Sequence, residues 1–167
     1  MSLEKYLKKR NFKITPEPQG ILGFKKNNES TIFVIQKHQA SHLHYDLRLE
    51  VNDTLKSWAI SKDIFIEPYK KKLAIETEDH PLEYANFTGI IPQGEYGAGE
   101  VELWDNGTYE NVTQKEGKII PIIQAIKEGH LTVMLKGNKL NGEFTLILLR
   151  KTKNSKQWLF FKKHKNK

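Results

Sequence analysis

Residues 33–50 read FVIQKHQASHLHYDLRLE, and the alternation within them decides the fold. From His42 onward the even positions are His42, His44, Asp46, Arg48 and Glu50, whereas the odd ones are Leu43, Tyr45, Leu47, Leu49 and Val51. A period of two puts the first set on one face of a β-strand and the second on the other. A surface strand needs only solubility from its polar face, which Lys, Thr or Ser would supply. Imidazole beside carboxylate beside guanidinium instead offers metal ligands and an anion clamp on one rigid element.

Outward from this stretch the period stays near two. Strands are predicted at 31–38, 42–51, 55–61, 72–78, 99–104, 107–112, 130–136, 143–150 and 157–163. Turns are expected at Asn52-Asp53, Asp105-Asn106-Gly107, Gly137-Asn138 and Asn141-Gly142. Residues 3–12, LEKYLKKRNF, suit one short helix, which the two prolines and glycine of TPEPQG at 15–20 bring to an end. A second helix is expected within KIIPIIQAIKE at 118–128, where Pro121 limits its start. Strands at this spacing without alternating helices give a mainly β fold, an antiparallel barrel or sandwich with one or two short helices at its periphery.

At 167 residues and 19.4 kDa, one well-buried domain spanning 1–167 is expected. The chain has no cysteine, which excludes disulfides and thiolate metal sites. No apolar run approaches the ~20 residues needed to cross a bilayer, and no apolar segment follows the basic N-terminus. A cytoplasmic protein with no membrane partner is the expectation. The net charge of +7 is unevenly spread: residues 1–13 carry +4, residues 150–167 carry +8, and the body between carries −5. Basic ends on an acidic body, with a tail at about 151–167, suit a polyanion such as a nucleic-acid backbone, although solvated tails have the same composition. Only Arg10, Arg48 and Arg150 are arginines among 27 basic residues, so an Arg here marks a place where a planar fork is wanted.

The chemistry concentrates around the opening stretch. His38 closes the first strand, and the turn after it brings His38 across from His44 or Asp46. Two imidazoles and a carboxylate form a mixed set that leaves positions open for water or substrate, as a catalytic metal requires; Mn²⁺, Zn²⁺ and Fe²⁺ all fit. Arg48, one pleat further, is placed to hold a phosphate or carboxylate. A lone His-x-Asp is ordinarily a hydrogen-bonded surface pair, but here five polar groups come as a set. ETEDHPLEY at 76–84 adds His80 and Tyr84 as acid or hydrogen-bond donors toward the same anion. Taken alone, His80 beside Pro81 reads as a turn residue. The three glycines within GEYGAG at 94–99 lack the Lys-Ser/Thr and the following helix of a P-loop, so this is read as a tight loop bordering the site. Trp58, Trp104 and Trp158 fall in strand-like segments, where core packing is their expected role.

QKHQASHLHYDLRLE, LKSWAISK, EDHPLEYANFTGIIPQGEYGAGEVELWDNGTYE and GEFTLILLRK with QWLFFKK closely resemble the 3′-phosphoesterase domain of bacterial and archaeal DNA ligase D, and RNFKITPEPQG resembles its opening motif. The resemblance runs from about residue 3 to 163, and the chain looks like a stand-alone member. It implies a β-barrel enzyme dependent on Mn²⁺, or on Zn²⁺ or Co²⁺ in its place. Such an enzyme removes terminal ribonucleotides and 3′-phosphates from the 3′ ends of a DNA primer–template, leaving a 3′-OH for separate ligase, polymerase and Ku proteins. The family's metal ligands fall on His38, His44 and Asp46. Its phosphate-contacting or catalytic positions fall on Arg48, Lys62, His80 and Tyr84, with Arg10 and Glu17 from the opening motif.

Two positions depart from the pattern. Asn11 stands where the family usually has Asp, losing a carboxylate, and Lys72 stands where it usually has Arg, keeping the charge and losing the fork. His42 stands where the family often has Arg, and is a fourth ligand, a phosphate contact or a bystander. Two other functions are compatible with the same residues. A 2-His-1-carboxylate Fe(II) oxygenase would use His44, Asp46 and the distal His80. A non-catalytic barrel would use the basic ends and the cleft to protect DNA termini.

Overall fold

The odd-numbered residues of the decisive stretch turn inward. In the computed structural model, which describes residues 2–20 and 30–164, Phe33 and Ile35 of β1 (Ile32–Gln39) join Tyr45, Leu47 and Leu49 of β2 (Leu43–Val51) in one apolar core. Trp58 of β3 (Thr54–Ile60) and Ala74 of β4 (Lys72–Pro81) extend it. A short 3₁₀ helix, Leu82–Asn86, and β5 (Gly89–Ile91) then lead to the long β6 (Gly99–Asn111). The chain continues through a small hairpin, β7 (Gln114–Lys115) and β8 (Lys118–Ile119), into α2 (Ile122–Glu128). Then come β9 (His130–Gly137), β10 (Asn141–Lys151) and β11 (Lys156–Lys162). Among the described residues before β1, one helix occurs, α1 (Glu4–Lys8).

Eight strands close on themselves in the order β1-β2-β3-β4-β11-β10-β9-β6 and back to β1, every pair antiparallel. The mainly β, antiparallel barrel read from the sequence is the fold observed, with two short helices outside it. Closure removes the open edges that an isolated sheet would present. Side chains fill the interior: Trp58 meets Trp158 edge-to-face at 5.9 Å between ring centroids, and Phe144 stacks on Phe160 at 5.3 Å. Fully burying each such ring stabilises by about 2–3 kcal/mol. The barrel lumen is therefore packed core, and chemistry has to happen elsewhere.

Three local expectations change. Asp105-Asn106-Gly107 is not a turn but the middle of β6, which runs unbroken past a bulge opposite Ile35 and Gln36. Gly107 is needed because strands approach closely there: a Cβ would stand 2.0 Å from the Lys136 carbonyl oxygen. Buried Asp105 instead accepts backbone N–H bonds from Asn138 (2.8 Å), Lys139 (3.2 Å) and Leu140 (2.8 Å), capping the β9–β10 turn. Asn141-Gly142 lies inside β10, the turn being 138–140, whereas Asn52 and Asp53 do form the predicted turn, both at positive φ. The first helix is shorter than predicted, α1 stopping at Lys8, whereas α2 starts after Pro121 as expected.

Asp105→Ala strands three backbone donors in a buried turn. It is expected to cost roughly 3 kcal/mol, read as a lower urea midpoint with an unchanged m-value.

Candidate metal centre and anion pocket

The register of β1 on β2 sets His38 opposite His44 and Gln36 opposite Asp46. Because Ile35, Tyr45 and Leu47 point inward, these neighbours emerge on the outer wall of the barrel. The wall is roofed there. The N-terminal arm contributes Tyr6, Arg10 and Glu17, the 3₁₀ helix contributes Tyr84, and the β5–β6 connection contributes Tyr96 and Gly97. A second apolar cluster of Tyr6, Val34, Leu55, Leu82 and Tyr84 seals the roof to the wall. Between them lies a pocket of about 210 Å³.

Two hydrogen bonds fix which ring nitrogens face this pocket. His38 Nε2–H donates to the Gly97 carbonyl at 2.7 Å, and His44 Nδ1–H donates to the His42 carbonyl at 3.0 Å. The opposite nitrogens, His38 Nδ1 and His44 Nε2, stand 3.5 and 3.4 Å from one atom, Asp46 Oδ2. Three lone pairs converge, an arrangement that repels unless a cation lies among them. Imidazoles steadied through their remote N–H, together with a carboxylate, suit a divalent transition metal. Ligands held at about 2.1 Å in tetrahedral directions stand about 3.4 Å apart, and these three donors lie within 4.8 Å of one another. Burial opposes ionisation of Asp46, but Arg48 and the two imidazoles outweigh it and hold the carboxyl well below the usual carboxylate range. Burial likewise opposes a charge on His44, but the Asp46 carboxylate prevails and raises its pKa.

Beside this centre sit two buried guanidiniums. Arg48 donates through Nε to Gln36 Oε1 (2.7 Å) and through Nη1 to Ser57 Oγ (2.9 Å), leaving Nη2 toward the pocket, 3.5 Å from Asp46. Arg10 donates through Nε to Glu17 (3.0 Å) and through Nη1 to Glu78 (3.0 Å), leaving Nη2 at 3.4 Å from His80 Nε2. Tyr84 O–H donates to the same Glu17 oxygen at 2.6 Å. His80 Nδ1–H donates to the Glu78 carbonyl at 2.8 Å, so its Nε2 carries a lone pair. Burial and the charges of Arg48 and Arg10 push His80 well below its ordinary pKa and keep it neutral. Three carboxylates, Glu17, Asp46 and Glu78, face two guanidiniums in this pocket. A divalent cation would turn the net charge positive, which suits a phosphate.

Of the residues singled out in the sequence, His38, His44, Asp46, Arg48, Arg10, Glu17, His80 and Tyr84 all line this pocket. Lys62 and Lys72 line a different depression, and Lys72 Nζ donates to the carbonyls of Glu67 and Lys70. Exposed Asn11 caps a turn, its side chain accepting from Lys13 N–H, and exposed His42 contributes only its carbonyl to the site. His80 points to the guanidiniums and takes no part in the three-donor cluster, so the ligand set of the oxygenase reading is not assembled. Missed by the sequence reading are Gln36, Ser57, Glu78 and Thr77. Glu78 and His80 share the outer wall with Thr77 only because the β3–β4 register slips between Leu55 and Ser57.

Fold and site together define a β-barrel whose outer wall carries a two-histidine, one-carboxylate centre beside a buried anion pocket. Residues 36–148 match the DNA Ligase D 3′-phosphoesterase domain. The chain is 42% identical over 160 residues to the multifunctional non-homologous end joining protein LigD of Pseudomonas aeruginosa, with 96% of the chain covered. It is 39% identical over 161 residues to the multifunctional non-homologous end joining DNA repair protein LigD of Mycobacterium tuberculosis, and 39% over 157 residues to its counterpart in Mycolicibacterium smegmatis, each covering 94% of the chain. This protein therefore belongs to the DNA ligase D 3′-phosphoesterase domain family, as its motifs indicated. The chain spans 18–20% of the length of these relatives. No helix among the described residues is long and apolar enough to cross a membrane.

Burial opposes ionisation of Glu78, but hydrogen bonding to its own backbone N–H and the charge of Arg10 outweigh it and hold its carboxyl below the ordinary 4.5. Its contribution to stability is thus full above that value and is lost as pH falls through the depressed one. Glu78→Gln in metal-free protein is expected to cost roughly 2 kcal/mol at pH 7. Urea unfolding should show this gap closing as pH falls below the ordinary 4.5 and through the depressed value.

Proposed function

We propose that this protein is a metal-dependent DNA 3′-end-healing phosphoesterase. It removes terminal ribonucleotides from DNA primers as a phosphodiesterase and terminal 3′-phosphates as a phosphomonoesterase, leaving a 3′-OH. The observation that carries this reading is the convergence of His38 Nδ1, His44 Nε2 and Asp46 Oδ2 beside two buried guanidiniums. His38, His44 and Asp46 hold the ion, with Mn²⁺ the preferred metal and Zn²⁺ or Co²⁺ substitutes. When bound, it supplies Lewis-acid polarisation of a phosphate oxygen and orients water.

The chain's own groups do the rest. Arg48 and Arg10 present their Nη2 edges to the other phosphate oxygens and neutralise charge that develops there. His80 is neutral in the free protein. A phosphate between the two guanidiniums offsets the positive field on it, so that Nε2 takes up a proton and delivers it to the leaving oxygen. Burial drives the Tyr84 hydroxyl well above its ordinary pKa, so it stays protonated and turned to Glu17. Tyr84 and Glu17 are positioning residues that keep Arg10 aimed. The substrate is a DNA primer–template or 3′ end, and the product suits a ligase or polymerase recruited with Ku.

The deciding experiment incubates metal-stripped protein, with and without Mn²⁺, on a labelled primer–template whose primer ends in ribonucleotides. Mn²⁺-dependent shortening through a 3′-phosphate species to a 3′-OH is expected, with Asp46→Ala folded but inactive and no longer binding Mn²⁺ in calorimetry. Wild-type turnover by that variant would overturn the ligand set. If wild-type protein binds the primer end but leaves it intact, an end-protecting barrel is the better description. Tyr84→Phe is expected to lower kcat/KM about tenfold, the effect of one charge-assisted hydrogen bond, with Mn²⁺ affinity unchanged.

A further inference from the structure

The two basic ends of the sequence meet in the fold. α1 packs against β4, and β11 pairs along one edge of that strand, Gln157 lying opposite Ile75. Lys5 of α1 and Lys9 just after it therefore face Lys153 of the β10–β11 turn, and Lys151 and Lys156 at its two ends, across a groove of about 490 Å³. The acids in its floor are already answered. Glu76 pairs with Lys56 at 2.9 Å and Lys156 at 3.7 Å, and Glu78 pairs with Arg10 at 3.0 Å and Lys9 at 3.3 Å. Lys5, Lys151 and Lys153 are exposed and have no acidic partner among the described residues, so the groove carries uncompensated positive charge.

This groove runs into the anion pocket. Thr77, Glu78 and Tyr96 line both. Thr77 brings a buried hydroxyl with no hydrogen-bond partner among the described residues. Tyr96 is 47% exposed, with Lys9 Nζ 4.6 Å from its ring centroid. An exposed aromatic ring among lysines, at the mouth of a phosphate-sized pocket, has the chemistry of a single-strand track: a face for a base to stack on and cations for successive phosphates.

We propose that the groove between α1 and the β10–β11 turn holds the backbone of the strand whose 3′ end enters the pocket, contacting the phosphates on its 5′ side. The identity of that strand rests on the end-healing function proposed above. The groove contributes affinity for chain length and none for the terminal group, which the pocket reads.

The test compares wild type with Lys5→Gln/Lys151→Gln/Lys153→Gln, and with Lys118→Gln/Lys127→Gln outside the groove as control. Binding of a 5′-labelled single-stranded DNA decamer bearing a non-hydrolysable 3′-phosphonate is followed by anisotropy across a salt series, and binding of thymidine bearing the same 3′-phosphonate by calorimetry, both with Mn²⁺. The triple variant is expected to bind the decamer at least about tenfold more weakly at low salt, with a log–log salt slope smaller by about 2. Its affinity for the mononucleotide and for Mn²⁺ should match wild type, and the control should match throughout. Unchanged decamer affinity and slope in the triple variant would overturn the proposal, as would an equal loss for the mononucleotide. Binding needs no turnover. A wild-type protein that is inactive on primer ends yet loses decamer affinity with these lysines would support the groove and sink the phosphoesterase reading.

Discussion

Arg10 bridging Glu17 and Glu78 is the contact on which the site depends. It joins an arm that precedes the first strand to a strand in the barrel wall, and both ends of the bridge are almost wholly removed from water. A buried charge left unpaired costs several kcal/mol, so the arm and wall must dock in one arrangement. Tyr84 and Thr15 complete the coordination of Glu17, and Lys9 that of Glu78. The roof of the pocket is thereby held by electrostatics as much as by the apolar seal around Tyr6. What faces inward in the barrel provides stability, while what faces outward in the pocket is held ready for a ligand.

Much of this was legible in the sequence because a β-strand writes its two faces in alternate letters. His44, Asp46 and Arg48 could be placed on one side of β2 from the period, and His38 across from His44 or Asp46 from the turn that follows it. The remainder depends on relations that no local window records. Asp105-Asn106-Gly107 has the composition of a tight turn, yet its aspartate serves a turn 33–35 residues away and its glycine serves a strand crossing. Tertiary contacts overrode local propensity there. Glu78 lay within a segment rich in chemistry, but its face is set by a register slip that alternation cannot reveal. Lys62 and Lys72 came from the family pattern, and their side chains line a neighbouring depression in this structure. The other eight residues singled out in the sequence line one pocket.

The pattern of arginine use is also physical. In a chain that is overwhelmingly Lys-rich, two of the three arginines, Arg10 and Arg48, have buried guanidiniums, each making several directed bonds from one planar group, while Arg150 is exposed. The exposed cations around Tyr96 and the β10–β11 turn are lysines. A fixed fork suits a preorganised pocket, whereas flexible point charges suit a polymer whose phosphates do not arrive in one register.

Both histidines of the candidate metal centre are oriented by main-chain carbonyls, Gly97 for His38 and His42 for His44. Carbonyl partners come with every residue type, so the tautomers that aim these rings survive side-chain change nearby. His42 can drift to another residue without disturbing His44. Gly97 is different, because its backbone sits at φ +77, a conformation that L side chains rarely adopt. The basicity and aim of His38 are thus set by the shape of a connecting loop. Sequence variation would retune the metal centre there through backbone conformation, with the ligands themselves left in place.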